Sequence, residues 1–397
     1  MSGAGTIATE VDVEAVVAAV AKAIVTKDRP VHLHEPRFAG RERDYVDECI
    51  ATGWVSSAGR FVDEFESRLA EACGTRAAIA VVNGTAALHV ALHLAGVGAG
   101  DEVIVPAITF VATANAVTYC GAVPHFVDIE GRHLGLDVAK LKAYLARITE
   151  MKNGVCVNRK TGRAIRAVVP VHVFGHPVDM DALNAVCEPF GLPVIEDATE
   201  SLGSTYRGRP CGSLSRIGVL SFNGNKIVTT GGGGALLTND AGLARRAKHL
   251  TTTAKIAHRW DFVHDEVGWN YRLPNINAAL GLAQLEQLDG FVAAKRRLAG
   301  RYIAAFANVR GVTPIVEPER AVSNYWLNAV LLGDDSGAGR DAVLKETHAA
   351  GLLTRPLWTP MHRLAMFESC PRDDLTVSES VARRLVNLPS SAVLGMQ

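Results

Sequence analysis

From residue 75 to about 250 the chain alternates between short apolar runs, rich in β-branched residues, and segments with helical spacing. The runs are "AAIAVV" (77–82), "EVIVPAI" (102–108), "VPHFVDI" (123–129), "AIRAVVPVHVFG" (164–175), "LPVIEDA" (192–198) and "IGVLSF" (217–222). A strand with one wet face alternates apolar and polar residues. These runs are close to continuous, as expected of strands covered on both faces. Between them lie segments such as "NGTAALHVALHLAG" and "MDALNAVCEPFG". Strand–helix–strand repetition predicts an α/β fold with a mostly parallel sheet.

The pattern changes after residue 250. A long loop (251–274) precedes a helix, "NINAALGLAQLEQLDG". From about 290 a helix ("FVAAKRRLAGRYIAAFA"), a strand ("NYWLNAVLL"), a helix ("GRDAVLKETHAAG") and a strand ("LLTRPLW") predict a smaller α+β unit. Near the start, Val13, Val16, Val17, Val20 and Ile24 suit one face of a short helix. The expected organisation is a helical extension (1–30), a large α/β domain (31–289) and a small C-terminal α+β domain (290–397).

Composition narrows the function. Lys+Arg and Asp+Glu both number 41, so no bulk field exists to hold nucleic acid or an anionic membrane. No apolar run reaches membrane-spanning length. The apolar stretch near the start follows Glu10, Asp12 and Glu14 rather than a basic leader, unlike a signal peptide. Seven scattered cysteines with no C-x-x-C spacing predict reduced thiols, a cytoplasmic protein and no metal site.

Four motifs carry chemistry. "VVNGTAALHV" ends a strand and opens a helix at Asn83-Gly84-Thr85, where free N–H groups and the helix dipole favour an anion and Gly84 permits close approach. Taken alone, plain N-capping by Asn83 or Thr85 is the favoured account of such a start. "PAITFVATAN" puts Phe110 just beyond a strand. "LPVIEDATESLG" puts Glu196, Asp197 and Glu200 at a strand end, where open α/β sheets bind ligands. "SFNGNKIVTTGGGG" holds a single lysine, Lys226, ahead of the tight turn Gly231–Gly234. Asn225 and Ile227 flank Lys226, so this is no P-loop. "GVGAGD" (96–101) joins a helix to a strand, the reverse of a dinucleotide loop. An anion cradle, an aromatic face, a carboxylate and a lysine, in that order, meet the needs of pyridoxal 5′-phosphate.

From "HEPRFAGRERDYVDECIATGWVSSAGRFVDEFE" to "NLPSSA" the chain resembles the DegT/StrS family of sugar-nucleotide aminotransferases, which have the fold type I, aspartate-aminotransferase-like architecture of PLP-dependent transferases. "GWVSSAG", "FGHPVDMD", "HLTTTAK" and "NYRLPNINAALG" resemble most the members of the bacillosamine and legionaminic acid routes. The resemblance implies that Lys226 is the Schiff-base lysine and Asp197 the partner of the pyridine nitrogen. Glu200 would approach the ring 3′-oxygen, and Phe110 would stack on the ring. Thr85 and Ala86 would be backbone donors to the phosphate and Ser221 a hydroxyl donor to it, with Gly84 and Asn223 also among the cofactor contacts. Asn270 would come from the neighbouring subunit of a homodimer. Thr199 departs from the family's usual Ala, and the four-glycine turn lacks an acidic residue many relatives have.

The implied reaction moves an amino group from L-glutamate, by way of pyridoxamine 5′-phosphate, to C4 of a nucleotide-linked 4-keto-6-deoxy sugar, expected to be UDP-2-acetamido-2,6-dideoxy-4-keto-hexose. Candidate contacts to the nucleotide sugar are His258, Arg259, Arg272 and His362, each of which also has a structural reading. Three alternatives stay open: a PLP-dependent sugar 3-dehydratase, a 3-keto sugar aminotransferase and a non-catalytic regulatory member. Typical dehydratases of this kind carry His in place of Lys226.

Overall fold

Each of the six apolar runs contributes a strand to one continuous sheet. In the computed structural model, which describes residues 11–397, these are Ala77–Val81 (β1), Glu102–Pro106 (β2), Val123–Val127 (β3), Ile165–Val168 (β4), Ile195–Asp197 (β5) and Ile217–Ser221 (β6). Gly234–Thr238 (β7) completes it. Hydrogen-bonded ladders run β3-β2-β4 and β5-β6-β7-β1, and parallel bridges Val168–Val194 and Val171–Asp197 join the two sets. Neighbours β2/β3, β2/β4 and β5/β6 are parallel. The exception is β7, antiparallel to both β6 and β1. No crossover helix separates β6 from β7, only the loop that holds Lys226, and a short connection between neighbours reverses direction.

Apolar cores lie on both faces of this sheet. One contains Phe61, Phe65, Leu69, Leu220 and Phe222. The other contains Val81, Leu88, Val105, Val117 and Val219. Two-sided burial explains why the runs do not alternate.

The C-terminal region forms a second, antiparallel sheet. Its strands are Val312–Pro314 (β8), Asn328–Leu332 (β9), Arg355–Pro356 (β10) and Leu385–Leu388 (β11), in the order β8-β9-β11-β10. The run "LLTRPLW" pairs only over Arg355–Pro356. The helix Val13–Ala23 packs beneath this sheet: Val16, Val20 and Ile24 share a core with Leu298, Tyr302, Val343 and Val386. Ala19 and Ala23 complete its buried face, and Val13 and Val17 flank it half-buried. The expected extension is therefore part of the C-terminal core over residues 13–24, while its first ten residues lie outside the described chain.

One hairpin lies outside the sequence reading. Thr149–Lys152 pairs with Val155–Asn158 around Asn153 and Gly154, with φ of 51° and 79°. Asn-Gly is the usual sequence for a turn needing two positive φ values. The loop 251–274 carries a short hairpin, Lys255–Ile256 with Val263–His264, that exposes Trp260 and Phe262. Among the described residues no helix is long and apolar enough to cross a membrane.

Candidate active site

The sheet register assembles the site. Gly234 pairs with both Val81 and Ser221, and Val219 pairs with Asp197. The C-terminal ends of β1, β5 and β6 thus meet at one edge, with the start of β7 between them. A Cβ on Gly234 would lie 2.5 Å from the Asn83 carbonyl carbon, and one on Gly84 would lie 2.9 Å from Ser221 Cβ. Only glycine at both positions lets the start of the helix Gly84–Leu94 lie this close to the sheet.

A cavity of about 380 Å³ opens at that edge. Its walls include Thr85, Phe110, Asp197, Glu200, Lys226 and Trp326. Gly84, Ser221 and Asn223 also line it, as the sequence predicts.

Beside the cavity, Asn83 caps the helix Gly84–Leu94, its Oδ1 accepting the Ala86 N–H at 2.7 Å. Ala86, expected as an anion donor, is therefore engaged in the cap. The N–H groups of Gly84 and Thr85 have no acceptor among the described residues. A cap and two free N–H groups thus coexist at this helix start.

Asp197 is the last residue of β5 and 2% exposed. Thr113 Oγ1 donates to its Oδ2 at 2.9 Å, and the Thr199 N–H donates to its Oδ1 at 3.2 Å. Strand alternation turns Glu196 to the opposite face. There Glu196 accepts from His172 Nε2 at 2.9 Å and from the N–H groups of Gly212 and Leu214, which ties β5 to its surroundings. His172 Nδ1 accepts the Val178 N–H, so Nε2 carries the proton.

Lys226 lies in the turn between β6 and β7, its N–H donating to the Asn223 carbonyl. Its Nζ is 3.2 Å from Glu200 Oε1 and 3.8 Å from the centre of the Trp326 ring. Glu200 Oε2 accepts the Phe174 N–H at 2.9 Å. Phe174 adopts a left-handed conformation (φ 57°), an uncommon one for a bulky residue. Burial pushes the Glu200 carboxyl above its ordinary range, while the Lys226 cation and the Phe174 N–H oppose that rise.

Phe110 is 53% exposed at the start of the helix Val111–Tyr119, and its ring is 6.3 Å from that of Trp358. Trp326 and Trp358 are the aromatic walls that sequence reasoning missed. Both belong to the C-terminal third and come to the cavity only through tertiary packing. A Trp that ends the run "LLTRPLW" without continuing the strand was the available signal.

The remaining predicted contacts do not line this cavity. Asn270 is exposed and bridges Thr252. Arg272 lines a separate cavity with Lys248 and Asp63. In the exposed hairpin, His258 Nδ1 accepts N–H groups of Trp260 and Asp261, and Arg259 stacks over Trp260. His362 pairs with Glu379, which also holds Arg363.

The donor set fits pyridoxal 5′-phosphate. Free N–H groups and Ser221 suit a phosphate, buried Asp197 suits a protonated ring nitrogen, Phe110 offers a flat face, and Lys226 offers an amine. Comparison with known proteins agrees. Residues 36–396 match the family described as the DegT/DnrJ/EryC1/StrS aminotransferase family. The chain is 42% identical to GDP-perosamine synthase of Caulobacter vibrioides, over 90% of this chain and 92% of that protein. It is 37% identical to EpsN of Bacillus subtilis, whose name places it among pyridoxal phosphate-dependent aminotransferases, over 92% of each. A solved DegT/DnrJ/EryC1/StrS aminotransferase from Brucella abortus superposes with a TM-score of 0.80 at 31% identity, covering 89% of this chain and 90% of that one.

Proposed function

The chain belongs to the DegT/DnrJ/EryC1/StrS aminotransferase family of PLP-dependent sugar aminotransferases, and from that premise we propose that it transfers the amino group of L-glutamate to C4 of a keto sugar linked to a nucleoside diphosphate, through the cavity at Lys226. One observation carries this reading: Lys226, Asp197, Glu200 and the free N–H groups of Gly84 and Thr85 converge on one cavity at the sheet edge.

When bound, the cofactor supplies an aldehyde and a ring that withdraws electrons from the carbon losing its proton. The chain supplies the rest. Asp197, buried and acceptor-only when ionised, favours a proton on the ring nitrogen. The N–H groups of Gly84 and Thr85 and the Ser221 hydroxyl would hold the phosphate. Lys226 Nζ carries protons as base and then acid, and Glu200, hydrogen-bonded to it, limits where that amine can stand. That residue 226 is lysine disfavours the dehydratase alternative.

The nucleotide is the open choice. The expected UDP-linked 2-acetamido sugar rests on the sequence resemblance, whereas the Caulobacter relative is named for a GDP-linked sugar. At 42% identity across nearly the whole chain, that relative supports a GDP-linked keto sugar as the first substrate to test. Seven free cysteines support work in the reducing cytoplasm.

The test incubates the protein with PLP, glutamate and a panel of GDP-, UDP- and dTDP-linked keto sugars, with products identified by mass spectrometry and NMR. Glutamate should bleach the absorbance near 400 nm, and one nucleotide should give an amino sugar. A chain that binds PLP without glutamate-dependent bleaching overturns the aminotransferase reading.

A further inference from the structure

Lys226 has two partners in the cavity, and only one is a carboxylate. The other is the face of Trp326, whose ring centre lies 3.8 Å from Nζ. An ammonium over an indole face is attracted by the ring quadrupole, more strongly when shielded from water. Here the Lys226 side chain is 12% exposed and Trp326 is 4% exposed.

Trp326 is fixed at three points, one on its indole and two on its backbone. Its Nε1–H donates to the Asn225 carbonyl at 2.7 Å, one residue before the lysine itself. Its backbone N–H donates to Asn324 Oδ1 at 2.8 Å. Its carbonyl accepts from Lys295 Nζ at 3.0 Å. Lys295 is fully buried and also donates to the Ser390 carbonyl. Asn324 links the two partners of Lys226, because its Nδ2 donates to the carbonyls of Glu200 and Leu202 at 3.0 and 2.9 Å. One amide thus holds the backbones of both Glu200 and Trp326.

We propose that Trp326 is a positioning residue for Lys226: its clamped indole face holds the lysine's ammonium beside Glu200 whenever the amine is not bonded to cofactor. The role follows from the chemistry of a lysine that must be both a bonding group and a proton carrier. Once released, a four-carbon side chain has many rotamers, and ordering it costs conformational entropy. A fixed face and a fixed carboxylate define one resting place for Nζ. No bond is made or broken there. Besides Glu200, the charged and titratable groups around this site are Asp197, which bears on Glu200, Lys295, which donates to the Trp326 carbonyl, and His34, on which Lys295 and Lys226 both act.

The proposal rests on the aminotransferase reading for its consequence, but its test needs neither cofactor nor sugar. The cofactor-free chain is treated with an acetylating reagent at pH 7.5. Modification of Lys226 is followed by mass spectrometry and normalised to exposed Lys345. Trp326→Leu removes the face that favours the charged amine, so Lys226 should react roughly three- to tenfold faster. Trp326→Phe keeps a face and should stay within about twofold of wild type. Trp358→Leu opens the same cavity while leaving the Trp326 face in place, so it reports reagent access alone and should accelerate Lys226 less than Trp326→Leu does. Global replacement of tryptophan by mono-, di- and trifluorotryptophan weakens the ring quadrupole with little change in volume. It should accelerate Lys226 stepwise, even if Trp326→Leu does not fold. Wild-type reactivity in the fluorinated chains, or equal acceleration in Trp358→Leu and Trp326→Leu, overturns the proposal. Failure of glutamate bleaching would overturn the reaction assignment and leave the labelling result standing.

Discussion

Glu200 Oε1 lies 3.2 Å from Lys226 Nζ, with the Glu200 side chain 2% exposed. Burial raises the carboxyl's pKa above its ordinary 4.5, and the lysine offsets that rise without cancelling it. A carboxyl harder to ionise in the folded state contributes stability below its unfolded pKa and loses it as pH rises through the folded value. Glu200→Gln removes this titration. In urea denaturation of the cofactor-free chain, wild type should therefore lose stability relative to Glu200→Gln as pH rises from about 4.5. A relative gain with rising pH would mean that the ion pair outweighs burial.

Asp197→Asn separates charge from hydrogen bonding. The Thr199 N–H can still donate to the amide oxygen, and the Thr113 hydroxyl can turn to accept from the amide nitrogen. The variant should keep its fold and bind PLP, yet lose most turnover, because a neutral amide no longer favours a protonated ring nitrogen. Steady-state rates at saturating PLP check this, and near-normal turnover would move the role to another carboxylate.

The strands around this site were legible because burial on both faces writes an uninterrupted apolar run, and the run's end marks the sheet edge where ligands bind. Lys226, Asp197 and Gly84 each lie within a few residues of such an end. Trp326 and Trp358 do not. They reach the cavity from the C-terminal region through contacts more than a hundred residues apart in sequence, such as the Trp326–Asn225 bond. A pattern of local spacing cannot encode that. Ala86 shows a subtler limit: the cap and the cradle have the same sequence signature, and only geometry distributes the N–H groups between them.

Gly234→Ala tests the close approach that shapes the cradle. Its Cβ would meet the Asn83 carbonyl and the Gly84 nitrogen at 2.5–2.6 Å, all backbone atoms that cannot rotate away. The start of the helix Gly84–Leu94 must then shift. Forcing atoms into such a packed site costs about 1–3 kcal/mol. Denaturation should show that loss, and a PLP titration should show weakened binding, because the displaced N–H groups are those of Gly84 and Thr85. Loss of stability with unchanged PLP affinity would detach the cradle from the phosphate.

Asn270 is exposed and outside its own chain's cavity, as a residue lent to a partner would be. We propose that it reaches the phosphate end of the partner's site in a two-fold dimer, where each subunit lends its loop to the other. Asn270→Asp would then place a negative charge near the cofactor phosphate and weaken binding by like-charge repulsion. Lys226→Ala should be inactive for a separate reason, the loss of the amine. Co-expression of the two variants distinguishes the geometries. If Asn270 crosses, each mixed dimer has one site with both lesions and one intact site. Random pairing makes half the dimers mixed and half their sites intact, so activity should return to roughly a quarter of wild type. If Asn270 acts within its own subunit, every site in a mixed dimer keeps one lesion. Mixed dimers confirmed by dual tags, prepared from inactive parents and showing no recovered activity, would rule out the crossing.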